Sequence, residues 1–234
     1  MTGLSMIIKV WIRTTFLLIC LVSLCLLPFK AGGDEGLPEI LEGILHRYGN
    51  LKGLSVTYQR EIITKSMALL GEEMKGDLAT GKIFFKPPHN LYIKQETPKP
   101  ETVVTDGRTL WWYIPDKKLV YQYPSYKLGK ELILLGDIFR GLRSIGDSFD
   151  VIQSDLGDKK EYHLRLIPNP PWEEIDHIDL RVSKESFEIR SVEVHNILGN
   201  ITRFILGDLT LENDLDTGMF QFKVPAGVEV VKEK

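Results

Sequence analysis

His46, His89, His163, His177 and His195 are the side chains that would ligate a metal or move protons near neutral pH, yet no two stand at the spacing of a metal motif. Asp176-His177 offers the pair of a proton relay, but neighbours along a strand point to opposite faces, so it reads as a surface pair. Gly146-Asp147-Ser148 carries the residues of a hydrolase nucleophile block without the leucine that would follow. It reads more plainly as a loop leading into a strand at Phe149. There is no G-x-S-x-G, and no glycine-rich phosphate loop follows a strand. These residues predict no enzyme, no metal site and no cofactor.

The elements that would position such groups are mostly strands. One helix is clear: in LPEILEGILHRYGN, Ile40, Leu41, Ile44, Leu45 and Tyr48 recur at helical spacing, Pro38 suits a first turn and Gly49-Asn50 stops it. Beyond it the apolar period falls to two. Strands are expected near 54–63, 74–85, 90–96, 101–105, 109–114, 118–123, 149–155, 161–168, 175–182, 188–196 and 201–212, divided by Pro, Gly, Asn and Asp turns. Only 128–143, LGKELILLGDIFRGLR, breaks the pattern, as one helix or two short pieces. The expected fold is mainly β, one antiparallel sheet long enough to curl, with helices over it.

The composition is that of a globular protein, 43% hydrophobic and 26% charged over 234 residues. Lys9 and Arg13 precede an uncharged run from Thr14 to Phe29, then Lys30 and a small-residue A-G-G stretch. A run of sixteen uncharged residues falls short of the roughly 20 that span a bilayer. The segment reads as a secretory signal, residues 1–33, leaving a single domain over 34–234. Both cysteines, Cys20 and Cys25, leave with the signal, and neither follows a small residue as a lipidation site would. The remaining chain therefore reaches an oxidising compartment with no disulfide to stabilise it. Losing Lys9, Arg13 and Lys30 takes the net charge from −3 to −6, which argues against nucleic acid as a partner.

The densest aromatic stretch is TDGRTLWWYIPDKKLVYQYP at 105–124. With Pro115-Asp116 as the loop, Trp112 faces Leu119 and Leu110 faces Tyr121. One face then holds Leu110, Trp112, Ile114, Leu119 and Tyr121, and the other Trp111, Tyr113, Lys118, Val120 and Gln122. Both faces carry a tryptophan, and Phe84, Phe85 and Tyr92 stand nearby. That is more ring area than one packed face needs, and a concave sheet with an apolar interior under a movable helix would use it.

The stretch V-T-D-G-R-T-L-W-W-Y-I-P resembles the DG-x-x-LW-x-Y-x-P hairpin of the periplasmic lipoprotein carriers, the LolA family. Agreement continues with L-x-V-x-Y-Q at 54–59, G-K-I-F-F-K-P-P at 81–88, L-R-L-I-P at 164–168, I-x-L-x-V at 178–182 and F-x-F-x-x-P-A-G-V-E-V at 220–230. The resemblance implies an unclosed half-barrel of eleven antiparallel strands under a helical lid. It implies a monomer in the periplasm that carries the acyl chains of lipoproteins from an inner-membrane lipoprotein-releasing ABC transporter to an outer-membrane acceptor lipoprotein.

By the same resemblance, Leu91, Ile93, Leu110, Trp112, Leu119 and Tyr121 line the lipid cavity, and Leu132, Leu135, Ile138 and Phe139 belong to the lid. Pro87 falls where the family has an arginine that latches the lid. Proline has no side-chain donor, so Lys86, Lys94 or Arg60 must substitute or the latch is weak. A carrier or sensor of another lipid or glycolipid is the alternative on the same fold. The sensor would need a further C-terminal domain, where this chain ends soon after Val231; the acceptor would need a lipidation cysteine. The physics suits a carrier, since each methylene buried from water gains about 0.8 kcal/mol. No energy source is readable, so transfer is expected to run downhill in affinity.

Overall fold

Alternation dictates the strands. Along Asp77–Lys86, for example, Ala79, Gly81, Ile83 and Phe85 turn inward while their neighbours stay more exposed, the period-two signature of a sheet with one covered face. The computed structural model describes residues 36–70, 76–124, 130–142, 145–154 and 158–232. The expected signal at 1–33 lies outside the described residues.

Within Gly36–Lys234, helix α1 (Leu37–Tyr48) comes first, followed by β1 (Leu54–Ile63), a short α2 (Lys65–Leu70), β2 (Asp77–Lys86), β3 (Asn90–Thr97), β4 (Glu101–Thr105), β5 (Thr109–Ile114) and β6 (Leu119–Pro124). Helix α3 (Lys130–Phe139) then crosses to β7 (Phe149–Ser154), β8 (Glu161–Pro168), β9 (Ile175–Ser183), β10 (Ile189–Asn196), β11 (Ile201–Leu211) and β12 (Glu229–Lys232). They form one open sheet in the order β12-β6-β5-β4-β3-β2-β1-β11-β10-β9-β8-β7. The unclosed, mainly β half-barrel with few helices is as expected, with twelve strands among the described residues where about eleven were expected. The extra one, β12, runs parallel to β6, so its partner is set by a long chain return that local periodicity does not report.

That return explains the second tryptophan. Lys86 Nζ donates to Leu215 O at 2.6 Å and to Thr217 Oγ1 at 2.9 Å, pinning the C-terminal segment to the convex side of the sheet. There Phe222 stacks on Trp111 at 5.6 Å and packs against Tyr113 at 5.8 Å. Val104, Val120 and Phe220 are buried. The hairpin's surplus aromatic area thus serves two faces, the convex one being covered by the chain's own tail.

Helix α1 buries Ile40, Ile44 and Tyr48 on the other, concave side. The Tyr48 hydroxyl accepts a hydrogen bond from the Ile189 N–H at 3.0 Å, joining the helix to the start of β10. Burial pushes this phenol up to about 12. The neutral ring therefore contributes stability that is fully present below the ordinary value of 10 and lost as pH rises through about 12. Tyr48→Phe keeps the ring but leaves the Ile189 N–H buried and unpaired. It should cost about 1–3 kcal/mol in urea unfolding at neutral pH. A loss near zero would mean that water or another group replaces the hydroxyl.

Candidate functional site

Antiparallel register lines up the concave face in rows. Val56, Ile83, Ile93, Val103, Trp112 and Tyr121 are successive cross-strand partners from β1 to β6. Leu54, Phe85, Leu91, Thr105, Leu110 and Tyr123 form the next row. Leu119 pairs with Ile114 on the same face. All six residues expected to line a cavity therefore share the concave face. The hairpin register differs from expectation: Trp112 faces Tyr121, and Leu110 faces Tyr123, because the loop takes Pro115–Lys117 as a 3-10 turn closed by Lys118 at φ 48°. The loop is two residues longer than expected, and an even slip keeps every side chain on its face.

Exposure changes along the first row. Val56 and Ile83 are fully buried and Ile93 is 8% exposed, while Val103, Trp112 and Tyr121 are only half-buried. One end of the face is sealed by helices and the other is an aromatic strip. In that strip Trp112 lies 5.5 Å from Tyr121, Tyr121 stacks on Tyr123 at 6.0 Å, and Trp112 Nε1 donates to Glu101 Oε2 at 2.9 Å.

Helix α3 seals the buried end. Leu134, Leu135, Ile138 and Phe139 are at most 1% exposed and join one apolar cluster with Phe85, Leu91 and Ile93. The Phe139 ring sits 5.7 Å from that of Phe85. The side chain of Leu132 lies outside the described residues. Ile40, Ile44 and Tyr48 of α1 belong to the same cluster. The sequence reading placed α1 in the fold but gave it no part in the site.

A pocket of about 580 Å³ opens where α1 and α3 end, within the usual span for a small-molecule site, roughly 300–1,000 Å³. Its apolar wall is Tyr48, Leu51, Pro87, Pro88, Leu142, Ile145 and Phe149, and its polar rim is Asp137, Arg140, Asp147 and Ser148. Of the cavity, lid and latch residues expected from the family resemblance, Pro87 lines it. The six expected cavity residues do not; Leu91, Ile93 and Leu110 are packed away, and Trp112, Leu119 and Tyr121 stand on the aromatic strip. Gly146-Asp147-Ser148 forms the turn into β7, at the pocket's rim.

Pro87 lines the pocket without a side-chain donor, across from Asp137 and Arg140 at the end of α3. Arg140, just past the last turn of α3, pairs with Asp137 and brings Nη1 to 3.4 Å from His89 Nδ1 on the β2–β3 turn. The three cations expected to substitute are placed elsewhere. Lys86 holds the C-terminal segment, and Lys94 pairs with Glu96 at 3.7 Å. Arg60 stands on β1 opposite Phe204, its Nε buried and without a hydrogen-bond partner. Arg140 was overlooked, although a basic residue closing an apolar helical stretch is a recognisable signal.

The family described as "Outer membrane lipoprotein carrier protein LolA" matches residues 69–223. A protein of Azotobacter vinelandii named outer-membrane lipoprotein carrier protein is 24% identical over 157 residues, 66% of this chain and 72% of that one. Its namesake in Nitrosomonas europaea is 23% identical over 223 residues, 94% of this chain and 100% of that one. Among solved structures, an uncharacterized conserved protein from Thermus thermophilus superposes with a TM-score of 0.51 at 10% identity, covering 84% of this chain and 98% of that one. That likeness is one of fold alone.

Proposed function

The chain belongs to the LolA family of outer membrane lipoprotein carrier proteins, and from that premise we propose that it carries the acyl chains of lipoproteins through the periplasm. The observation that carries this reading is the graded concave face: one continuous apolar row runs from helix-sealed core to a half-buried aromatic strip. Acyl chains recognised by area alone need such a surface, with few polar groups to fix an orientation. Release by an ABC transporter of the inner membrane and delivery to an outer-membrane acceptor lipoprotein complete the route. The carrier acts as a monomer, without catalysis or cofactor. Arg140 serves as the lid's cation, reaching back to His89 in place of the family arginine missing at Pro87.

No helix among the described residues is long and apolar enough to cross a membrane. Residues 1–33 act as the export signal in this proposal. N-terminal sequencing of the exported form should return Asp34 or a close neighbour; recovery of Met1 in the membrane fraction would reject export by a cleaved signal.

The cargo test uses Trp112→Ala. Displacement of a hydrophobic dye by a long-chain fatty acid should weaken several-fold. The stability cost should fall below the roughly 3–5 kcal/mol typical of a core tryptophan, since Trp112 is half-buried. Lipoproteins should co-purify with the wild-type protein from periplasm and be lost from the variant. Free lipid or glycolipid in their place would identify a carrier of another lipid on the same fold. Unchanged dye binding with heavy destabilisation would show that Trp112 is plain core.

A further inference from the structure

The convex face of the sheet, away from the helices, carries a polar cluster that no part of the carrier reading uses. Antiparallel pairing of β9 with β10 sets His195 opposite His177, and Glu193 opposite Asp179. The two imidazole rings stack with centroids 4.2 Å apart and planes 15° from parallel. Each Nε2 lies 3.5 Å from the same atom, Asp179 Oδ2. Glu193 Oε2 lies 3.7 Å from the Nε2 of His195. Both Nε2 atoms are sealed from solvent and have no hydrogen-bond partner. On the far side of its ring, His177 Nδ1 is 2.7 Å from Asp176 Oδ2; the carboxylate accepts a hydrogen bond from Nδ1–H, which keeps the proton on Nδ1 and leaves Nε2 a bare lone pair in the neutral ring.

The His177 lone pair therefore confronts a carboxylate oxygen, and His195 Nε2 stands at 3.5 Å from that same oxygen and 3.7 Å from Glu193, beyond a sound hydrogen bond in either tautomer. The surrounding charges do not resolve this. Arg165 grips Asp179 through Nε at 2.7 Å and Nη2 at 2.8 Å, which orients the carboxylate. Arg203 holds Glu193 at 3.0 Å and Glu61 at 3.2 Å, and Arg181 reaches Glu193 at 3.3 Å. Three guanidinium groups meet four carboxylates, counting Asp176, so the cluster lacks one positive charge. A proton on one ring would have to bridge 3.5 Å, beyond the roughly 2.7–3.2 Å of a sound hydrogen bond. A metal ion bound tetrahedrally at about 2.0–2.2 Å would hold its ligand atoms about 3.4 Å apart, close to the spacing present.

We propose that His177, His195 and Asp179 bind one divalent transition-metal ion of the zinc class, with Glu193 or a water as the fourth donor. Two imidazoles with a carboxylate suit zinc and its neighbours in the first row, whereas calcium and magnesium prefer oxygen alone. Binding tilts the stacked rings out of parallel so that both lone pairs converge, and the ion bridges β9 to β10. Sequence spacing hides such a site because strand register, not a local motif, creates it.

The test is titration of the purified, metal-stripped protein with Zn²⁺, paired with Co²⁺ absorption spectroscopy. One Zn²⁺ should bind per chain, and Co²⁺ should give the intense visible bands of tetrahedral coordination. His177→Gln and His195→Gln should each lower Zn²⁺ affinity about tenfold or more, and Asp176→Asn, one step removed, about 10–100-fold. Asp158→Asn, in the separate Asp158, Glu161 and His163 group, should change nothing. The wild-type Co²⁺ spectrum needs no variant to fold, and far-UV circular dichroism checks the others. Absent Zn²⁺ binding, a weak octahedral Co²⁺ spectrum, or affinity untouched by both histidine variants would each overturn the site.

Discussion

Phe139→Ala should destabilise the protein by about 3–5 kcal/mol and, at the same time, tighten its binding of a fatty-acyl probe about tenfold or more. The two effects have one cause. Phe139 is fully buried and packs on Phe85, so truncation leaves a void between α3 and the sheet. If α3 is a lid, that contact belongs to the closed, empty state. Weakening it raises the fraction of molecules open to an acyl chain, and apparent affinity rises with that fraction. If α3 is instead permanent core, stability falls and affinity does not improve. Ile178→Ala is the control: equally buried, on β9 in the other half of the sheet, it should cost about 2–5 kcal/mol without tightening. Urea unfolding and dye displacement on both variants decide the matter. Equal probe affinity in Phe139→Ala and wild type would sink the lid.

What the sequence made legible was parity, and what it concealed was distance along the chain. The concave face could be read from alternation alone, and it withstood a wrong loop: the turn through Pro115–Lys117 to Lys118 shifts the hairpin register by two, so Trp112 meets Tyr121 in place of Leu119 without leaving its face. The buried side of α3 was equally readable, since Leu135, Ile138 and Phe139 fall at helical spacing.

Three features were not readable, each because it joins residues remote in sequence. The parallel pairing of β12 with β6 needs the C-terminal segment to cross the convex face first, and only then do Trp111 and Tyr113 acquire Phe222 as a partner. The reach of Arg140 to His89 depends on how the end of α3 meets the β2–β3 turn. The apposition of His177 and His195 depends on the β9–β10 register. Asp176 and His177 are also closer than strand alternation alone implies. Adjacent side chains do leave a strand on opposite sides, yet the Asp176 carboxylate reaches His177 Nδ1 at 2.7 Å.

Two glycines, one in α3 and one at its end, should respond to alanine with opposite signs, and if α3 is a lid they report together how it moves. Gly141 ends the helix at φ +77°. The Gly141 N–H donates to Ile138 O at 2.9 Å and the Leu142 N–H to Asp137 O at 3.0 Å, the paired bonds of a Schellman terminus. A Cβ there would lie 3.0 Å from Leu45 Cα and 3.2 Å from Ile44 O, against the backbone of α1. Left-handed strain of about 1–2 kcal/mol adds to that backbone contact, so Gly141→Ala should cost about 2–4 kcal/mol. If α3 is a lid, the substitution should also loosen its closed state and raise acyl affinity. Gly136 lies within α3 with nothing within 4 Å of an added Cβ. Gly136→Ala should therefore stabilise by about 0.5–1 kcal/mol, the cost of a mid-helix glycine. The binding outcome then separates two mechanisms. If α3 swings as an intact helix, the gain is the same open and closed, and acyl affinity is unchanged in Gly136→Ala. If α3 unwinds to admit the chain, the gain belongs to the closed state alone, and affinity falls about two- to fivefold. Dye displacement on the two variants, beside their urea midpoints, reads both. Gly141→Ala with wild-type stability would remove the α1–α3 junction as the lid's anchor.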